Sequence, residues 1–205
     1  MINIESYISG FSETFEKHKE WLPWHITSKL TIILEEMIAQ LGSDFHIENG
    51  IAVHKSAVVE GGAVLKAPVI ISQKCFVASK SYLRGGVYLG ESSIIGPGCD
   101  IKTSIFMENA VAAHLNFIGD SIIGNDVNFE AGSVTANHYN ERVWNEITVI
   151  QDGNRIQTGS TRFGSLIGDH GRIGANAVLS PGTLLQPNTV VDRLQLVDQL
   201  KSWMR

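Results

Sequence analysis

Cysteine, proline and aromatic residues are scarce in this 205-residue sequence: two, five and 8% of the chain. Cys75 and Cys99 are too few for a disulfide framework and lack metal-ligand spacing. Sixteen Lys and Arg stand against 21 Asp and Glu, a net charge of −5, so the basic footprint of a nucleic-acid binder is missing. No uninterrupted apolar run reaches the length of a membrane span. The opening MINIESYISG has no basic segment followed by an apolar stretch, which argues against a secretory leader. The expectation is a cytoplasmic protein without nucleic-acid or membrane partners. Glycine is plentiful at 20 residues. With so few prolines, that composition implies many turns inside ordered structure rather than a linker.

What the chain does have is a period. From Val53 every sixth residue is aliphatic: Val53, Val59, Leu65, Ile71, Val77, Leu83, Leu89, Ile95, Ile101, Met107. Four residues after these stand Ala57, Ala63, Val69, Cys75, Ser81, Val87, Ser93 and Cys99, mostly smaller. The pattern returns as Ile167, Ile173, Leu179, Leu185 and Val191. A period of six does not fit the 3.6 residues of a helical turn. One large and one small core position per six residues is the mark of a hexapeptide parallel β-helix. The repeat resembles the left-handed hexapeptide acyltransferases, in which three hexapeptides form one triangular coil of eighteen residues. That resemblance stacks Lys66, Arg84 and Lys102, each following a core aliphatic residue, into one outward row. The row reads either as a solvated face or as a ladder able to hold a phosphate.

Residues 1–47 lie outside the period. SYISGFSETFEKHKEWL and TSKLTIILEEMIAQL have helical apolar spacing, with Pro23 as the breaker between them and Thr27 or Ser28 as a cap. They are expected to form a helical cap, with Trp21, Trp24 and an aliphatic stripe closing the bottom of the solenoid. Residues 48–193 are the expected β-helix domain, and 194–205 a short C-terminal helix at its top. The period fails between Val134 and Phe163. There WNEITVIQDGNRIQTGS alternates by two around Asp152-Gly153, a β-hairpin within an insertion at 138–162. Such an arm could carry binding groups or grip a neighbouring subunit.

One histidine interrupts the repeat. Ala113 keeps the period after Met107 and His114 follows it. Ile118 and Ile123 then each come after five residues, so two shortened turns are expected just past the histidine. That places His114 at a corner beside Asp120, Asn128 and Asn137. Taken alone, a histidine is more often an ordinary surface residue than a catalyst.

AAHLNFIGDSIIGNDVNFEAGSVTAN, 112–137, resembles the acetyltransferase half of the bifunctional glucosamine-1-phosphate acetyltransferase/N-acetylglucosamine-1-phosphate uridylyltransferases. That family carries a similar A-G-H-L-x-Y-x-G-D stretch, then I-G-x-x-x-N and G-A-G-T-x-x-x-N. TGSTRFGSLIGDHGRIGANAVLSPGT resembles its sugar-1-phosphate nucleotidyltransferase relatives, and the likeness covers roughly 50–192. The resemblance implies acetyl transfer from acetyl-CoA to an amino-sugar phosphate, in a homotrimer with sites between subunits. His114 would be the general base, and Arg84 and Lys102 the residues holding phosphate and sugar. Asn128 would bind the sugar, Asn137 would stand near acceptor and acyl donor, and Ala175 would line the coenzyme channel. No metal is implied. The family's nucleotidyltransferase domain has no counterpart here, and no Gly-rich nucleotide loop occurs in 1–50, so nucleotidyl transfer is not expected.

The residue types suit that chemistry. An imidazole accepts a proton near neutral pH, the cations would fix a sugar phosphate, and Asn137 or backbone amides could serve the oxyanion. No covalent acyl-enzyme is needed, and both cysteines should be inert core thiols. The sequence departs from the family where Phe117 replaces a tyrosine. It departs again past Asn137, where a lysine is replaced by candidates such as Arg142 or His138. Two other classes are kept in view. One is a non-catalytic β-helix that binds a sugar nucleotide or partner protein. The other is a metal-dependent hydratase of the carbonic-anhydrase type, which needs closely spaced histidines that His18, His25, His46, His54, His114, His138 and His170 do not provide.

Overall fold

The computed structural model describes residues 2–203 and contains a parallel β-helix of triangular section. Its second face is a seven-stranded sheet running from Val58–Val59 through Ile94–Ile95, Val111–Ala112 and Asn128–Phe129 to Val190–Val191. The third face carries Val64–Leu65, Phe117–Gly119, Val134–Thr135 and Leu196–Val197. The first carries Ile51–His54, Val69–Ile71, Ile122–Ile123, Ser165–Ile167 and Thr183–Leu185. Tyr82–Leu89 and Asp100–Phe106 run continuously from the third face onto the first.

The register gives the length of each coil. Leu65 pairs with Leu83, and Leu83 with Ile101, at steps of 18 residues. The next two steps, Ile101 to Ile118 and Ile118 to Thr135, are 17. The missing residue is always lost at the edge where the third face turns onto the first. Ile101 and Phe106 are consecutive core residues, as are Ile118 and Ile123. This corrects the expected phase in two ways. Phe106 and Ala112, not Met107 and Ala113, point into the core, and one shortening comes before the histidine rather than both after it. The shortened turns hold Thr103 and Asp120 at φ 49° and 48°. This left-handed conformation costs a residue with a Cβ about 1–2 kcal/mol, least for Asp or Asn.

The N-terminal segment does not close the bottom of the solenoid. It lies along the first face, whose outward residues Ala52, Ile70, Ile105, Ile122, Leu166 and Leu184 are buried in one cluster with it and with the insertion. Strands buried on both sides read as consecutive apolar residues, and VII, SIF, SII, SLI and TLL do so. Among the described residues the one long helix is Pro23–Ile38, with Pro23 at its first turn rather than between two helices. Thr27 and Ser28 are not caps. Their hydroxyls donate to the carbonyls of Trp24 and His25 within the helix. The earlier segment forms only short turns, Ile4–Ser6, Phe11–Thr14 and Glu16–His18. Gly86, at φ 92°, lets the helix approach; a Cβ there would stand 3.3 Å from the Thr31 amide. Asp169 ties the segment's start to the prism by accepting from the Ser9 amide and hydroxyl and from Asn125.

Phe45–Glu48 folds back antiparallel on Ile51–His54 through Asn49-Gly50, which covers the lower strand edge. At the other end strands continue to Val197, and the helix begins at Gln199. The Gln199 side chain accepts from the Leu184 amide at 2.9 Å and donates to its carbonyl at 2.8 Å, replacing the strand that a further coil would supply. The insertion leaves at Asn137 and returns at Phe163, whose amide donates to the Asn137 carbonyl. Its hairpin pairs Thr148–Gln151 with Asn154–Gln157. The first of these strands is not free in solvent, because Val149, with Ile147 just before it, is buried beside Phe163 and Leu184.

Trp24 packs edge-on to Phe163 with ring centroids 5.8 Å apart, joining helix, insertion and prism. Trp24→Ala is therefore expected to cost about 3–5 kcal/mol in denaturant unfolding. A loss below about 1 kcal/mol would mean the helix is not a structural part of the fold.

Candidate functional site

Two edges of the prism border the third face. At the edge leading to the first face, the residue after each core aliphatic forms a row, with Arg84 in register with Lys102 and Lys102 with Gly119. Arg84 donates to both oxygens of Asp100, from Nε at 3.0 Å and Nη2 at 2.9 Å. Its guanidinium also lies 5.5 Å from the Tyr82 ring centroid. The hydrogen bond to Asp100 moves the Arg84 pKa further up, so this side chain stays charged. Lys102 Nζ donates to Asp120 Oδ2 at 2.9 Å. Asp120 is buried, and the same carboxylate oxygen accepts from Asn137 Nδ2. The carbonyl oxygen of that amide faces Nδ1 of the exposed His138 at 3.1 Å. Lys66 continues the row one coil below; it is exposed and makes no ion pair among the described residues.

His114 stands on the other edge, between the second and third faces. It follows Val111–Ala112 by two residues and is exposed. Its amide donates to Asn116 Oδ1 at 3.1 Å, and its carbonyl accepts from Gly132. Buried Asn116 also donates to the Glu130 carbonyl and the Ser133 hydroxyl, fixing the corner that carries the imidazole. Counting two residues past each paired core position puts His114, Ala131, Ala175 and Arg193 in one column along this edge. Glu130 braces the column. Its carboxylate accepts from Arg193 at 2.8 and 2.9 Å and from the Ala175 amide at 2.9 Å. Arg193 first, and then the amide, draw its pKa down to about 2.

Phe117 lies between the edges. Its ring leans over Gly119, where a Cβ would come within 2.9 Å of the ring and 2.8 Å of Asn137 Nδ2. His114 and Lys102 thus border opposite sides of the same face, separated by a three-residue strand, roughly 10 Å.

Of the residues singled out in the sequence, Arg84, Lys102, Asn137 and Phe117 come together, and His114 faces them across the third face. Asn128 does not join them. It points outward from the second face, in register with Arg172, in a groove of about 870 Å³ with Asp126, Glu130 and Arg193. Arg142 is also elsewhere, with its guanidinium carbon 3.3 Å from the Tyr139 ring centroid and Nη2 4.0 Å from Asp198. The sequence reading gave no role to Asp120, Asn116 or Glu130. A carboxylate eighteen residues after Lys102 was the available signal for the first. Cys75 and Cys99 are buried thiols, and burial pushes Cys75 up to about 11. Among the described residues no group of three or more His, Cys, Asp or Glu side chains could hold a metal ion, and no helix is long and apolar enough to cross a membrane.

This chain is 30% identical over 183 residues to a bifunctional sugar-1-phosphate nucleotidylyltransferase/acetyltransferase of Sulfurisphaera tokodaii, covering 83% of the chain and 45% of that protein. The chain is similar to these bifunctional transferases. It is also 30% identical over 184 residues to the bifunctional protein GlmU of Methanococcus vannielii, with 86% and 43% covered. For GlmU of Heliobacterium modesticaldum the figures are 30% over 129 residues, with 62% and 27% covered. The chain spans less than half the length of each of these relatives. No protein-family model matches it.

Glu130 gives the Ala175 column a pH signature. A depressed carboxyl contributes stability that is complete above its ordinary value of 4.5 and fades as pH falls through about 2. A carbon-detected NMR titration of Glu130 should find its midpoint near 2. A midpoint near 4.5 would mean Arg193 and the Ala175 amide do not engage it.

Proposed function

We propose that the chain is an acetyl-CoA-dependent N-acetyltransferase acting on an amino-sugar phosphate of the glucosamine-1-phosphate kind, as a homotrimer in the cytoplasm. One observation carries the reading: the third face has Arg84 and Lys102 on one border, an aromatic ring in the middle and an exposed histidine on the other. In an amino-sugar phosphate of this kind amine and phosphate sit on neighbouring carbons, so the long cation side chains and the imidazole would have to reach toward each other over Phe117 to meet both. Similarity to a relative whose name includes an acetyltransferase activity supports the reaction type.

In this reading Arg84 and Lys102 hold the phosphate. Both already carry carboxylate partners, so a phosphate shares or displaces Asp100 at the guanidinium fork rather than meeting a bare cation. Phe117 supports the sugar ring. His114 takes a proton from the amine as its nitrogen attacks the thioester carbonyl of acetyl-CoA. The carbon–sulfur bond then breaks and the thiol leaves with a proton. The small side chains of Ala131 and Ala175 leave room beside the imidazole for the arm of the acyl donor. Val58, Ile94 and Val190 on the second face, and Val64, Tyr82 and Leu196 on the third, are exposed, and they supply apolar surface for trimer contacts.

His114→Ala should leave the oligomer intact and lower acetyl transfer by about 10²-fold or more. Unchanged turnover, measured as thiol release, would remove the imidazole from the mechanism. Arg84→Ala should weaken the phosphorylated acceptor far more than its unphosphorylated analogue, and equal losses would place the phosphate elsewhere. Saturating acetyl-CoA or glucosamine-1-phosphate should raise the melting temperature. No shift with either would favour a non-catalytic scaffold.

A further inference from the structure

Asp120 is a buried carboxylate at the border of the proposed acceptor site, in contact with two of that site's residues. It occupies a turn one residue shorter than its neighbours, and its left-handed φ of 48° aims the side chain along the edge rather than out to solvent. One oxygen accepts from Lys102 in the coil below and from Asn137 in the coil above. A carboxylate without a proton can only accept hydrogen bonds. It therefore decides which end of the Asn137 amide faces it: the nitrogen must, and the carbonyl oxygen turns the other way, toward exposed His138. Gly119 completes the arrangement, because a Cβ there would stand 2.8 Å from that amide nitrogen and crowd it.

We infer that Asp120 is the positioning residue of the acceptor site, orienting Asn137 to present an acceptor oxygen to a ligand donor group and anchoring the Lys102 ammonium. This rests on the transferase reading above. It reassigns Asn137, which the sequence suggested as a donor to the oxyanion. One of its N–H groups is spent on Asp120, and its oxygen, on the side of His138, is left to accept. The Asp120 carboxylate itself touches no substrate and acts through its two partners.

The Asn137 side-chain amide can be followed by nitrogen–proton NMR in the intact protein, without any assay. In the wild type one Nδ2 proton should be shifted downfield and protected from solvent exchange, and Asp120→Asn should abolish both. An Asn137 amide resembling exposed asparagines, or one unaffected by Asp120→Asn, overturns the inference. In acetyl transfer, Asp120→Asn should raise the acceptor KM by about 10-fold, with the acetyl-CoA KM within about twofold. The effect should shrink in an Asn137→Ala background, and full additivity would overturn the coupling. Gly119→Ala displaces the same amide while sparing the charge. It should reproduce the acceptor KM rise if Asp120→Asn does not fold, and an unchanged KM there counts against the inference. A wild type with the expected resonance but no acetyl transfer to any amino-sugar phosphate would refute the transferase reading and leave the positioning of Asn137 standing.

Discussion

Parallel pairing of stacked coils fixes the arrangement from which the rest of the structure follows. Each coil buries one residue per face at the paired position, so the position of any residue on a face or edge is set by counting from the last core residue. Insertions and deletions are tolerated only at edges, where no ladder is broken. The chain uses that freedom at one edge alone, the one where the third face meets the first. Here Gly85-Gly86 bulge one coil, the next two turns are each a residue short, and the 25-residue insertion 138–162 departs a coil later. The residues proposed to bind the acceptor gather there because the backbone there is irregular. The opposite edge keeps its period, which makes it a straight track from His114 to Arg193.

Electrostatics at the irregular edge follow from the stacking. Neighbouring strands lie about 4.8 Å apart, so three cations in one row would repel one another without compensation. Asp100 and Asp120 provide it, each lying beside the row rather than within it. Arg84 is held by a two-point contact that fixes the plane of its guanidinium. Lys102 is held as a point charge by a carboxylate that also serves Asn137. The result is a pre-oriented, nearly neutral cluster.

The architecture was legible in the sequence because a six-residue period has few other physical explanations. The Arg84–Lys102 row was legible for the same reason, since register is a matter of counting. The phase past Ile101 was misread because Met107 and Phe106 are both large and apolar. Only the three-dimensional turn shows that one residue has dropped out. The helix Pro23–Ile38 was foreseen as a covering element but assigned to the end of the prism. Its target, the outward row of the first face, is visible only when paired apolar residues such as Ile70-Ile71 and Ile122-Ile123 are read as strands buried on both sides. Asn116 escaped because its role consists of hydrogen bonds to residues 14 and 17 positions away, which composition does not encode, and Asp120 left only its spacing of eighteen from Lys102 as a sign. Asn128 and Arg142 were grouped with the site by linear resemblance, and the single chain directs them elsewhere.

The account depends on an acceptor held over the third face between the cation row and His114. A crystal structure of the protein soaked with glucosamine-1-phosphate tests this most directly. It should find the phosphate hydrogen-bonded to Arg84 and Lys102, the ring against Phe117 and the amine on the His114 side. Phosphate density in the groove of the second face, beside Arg172 and Asn128, with the third face empty, would contradict it.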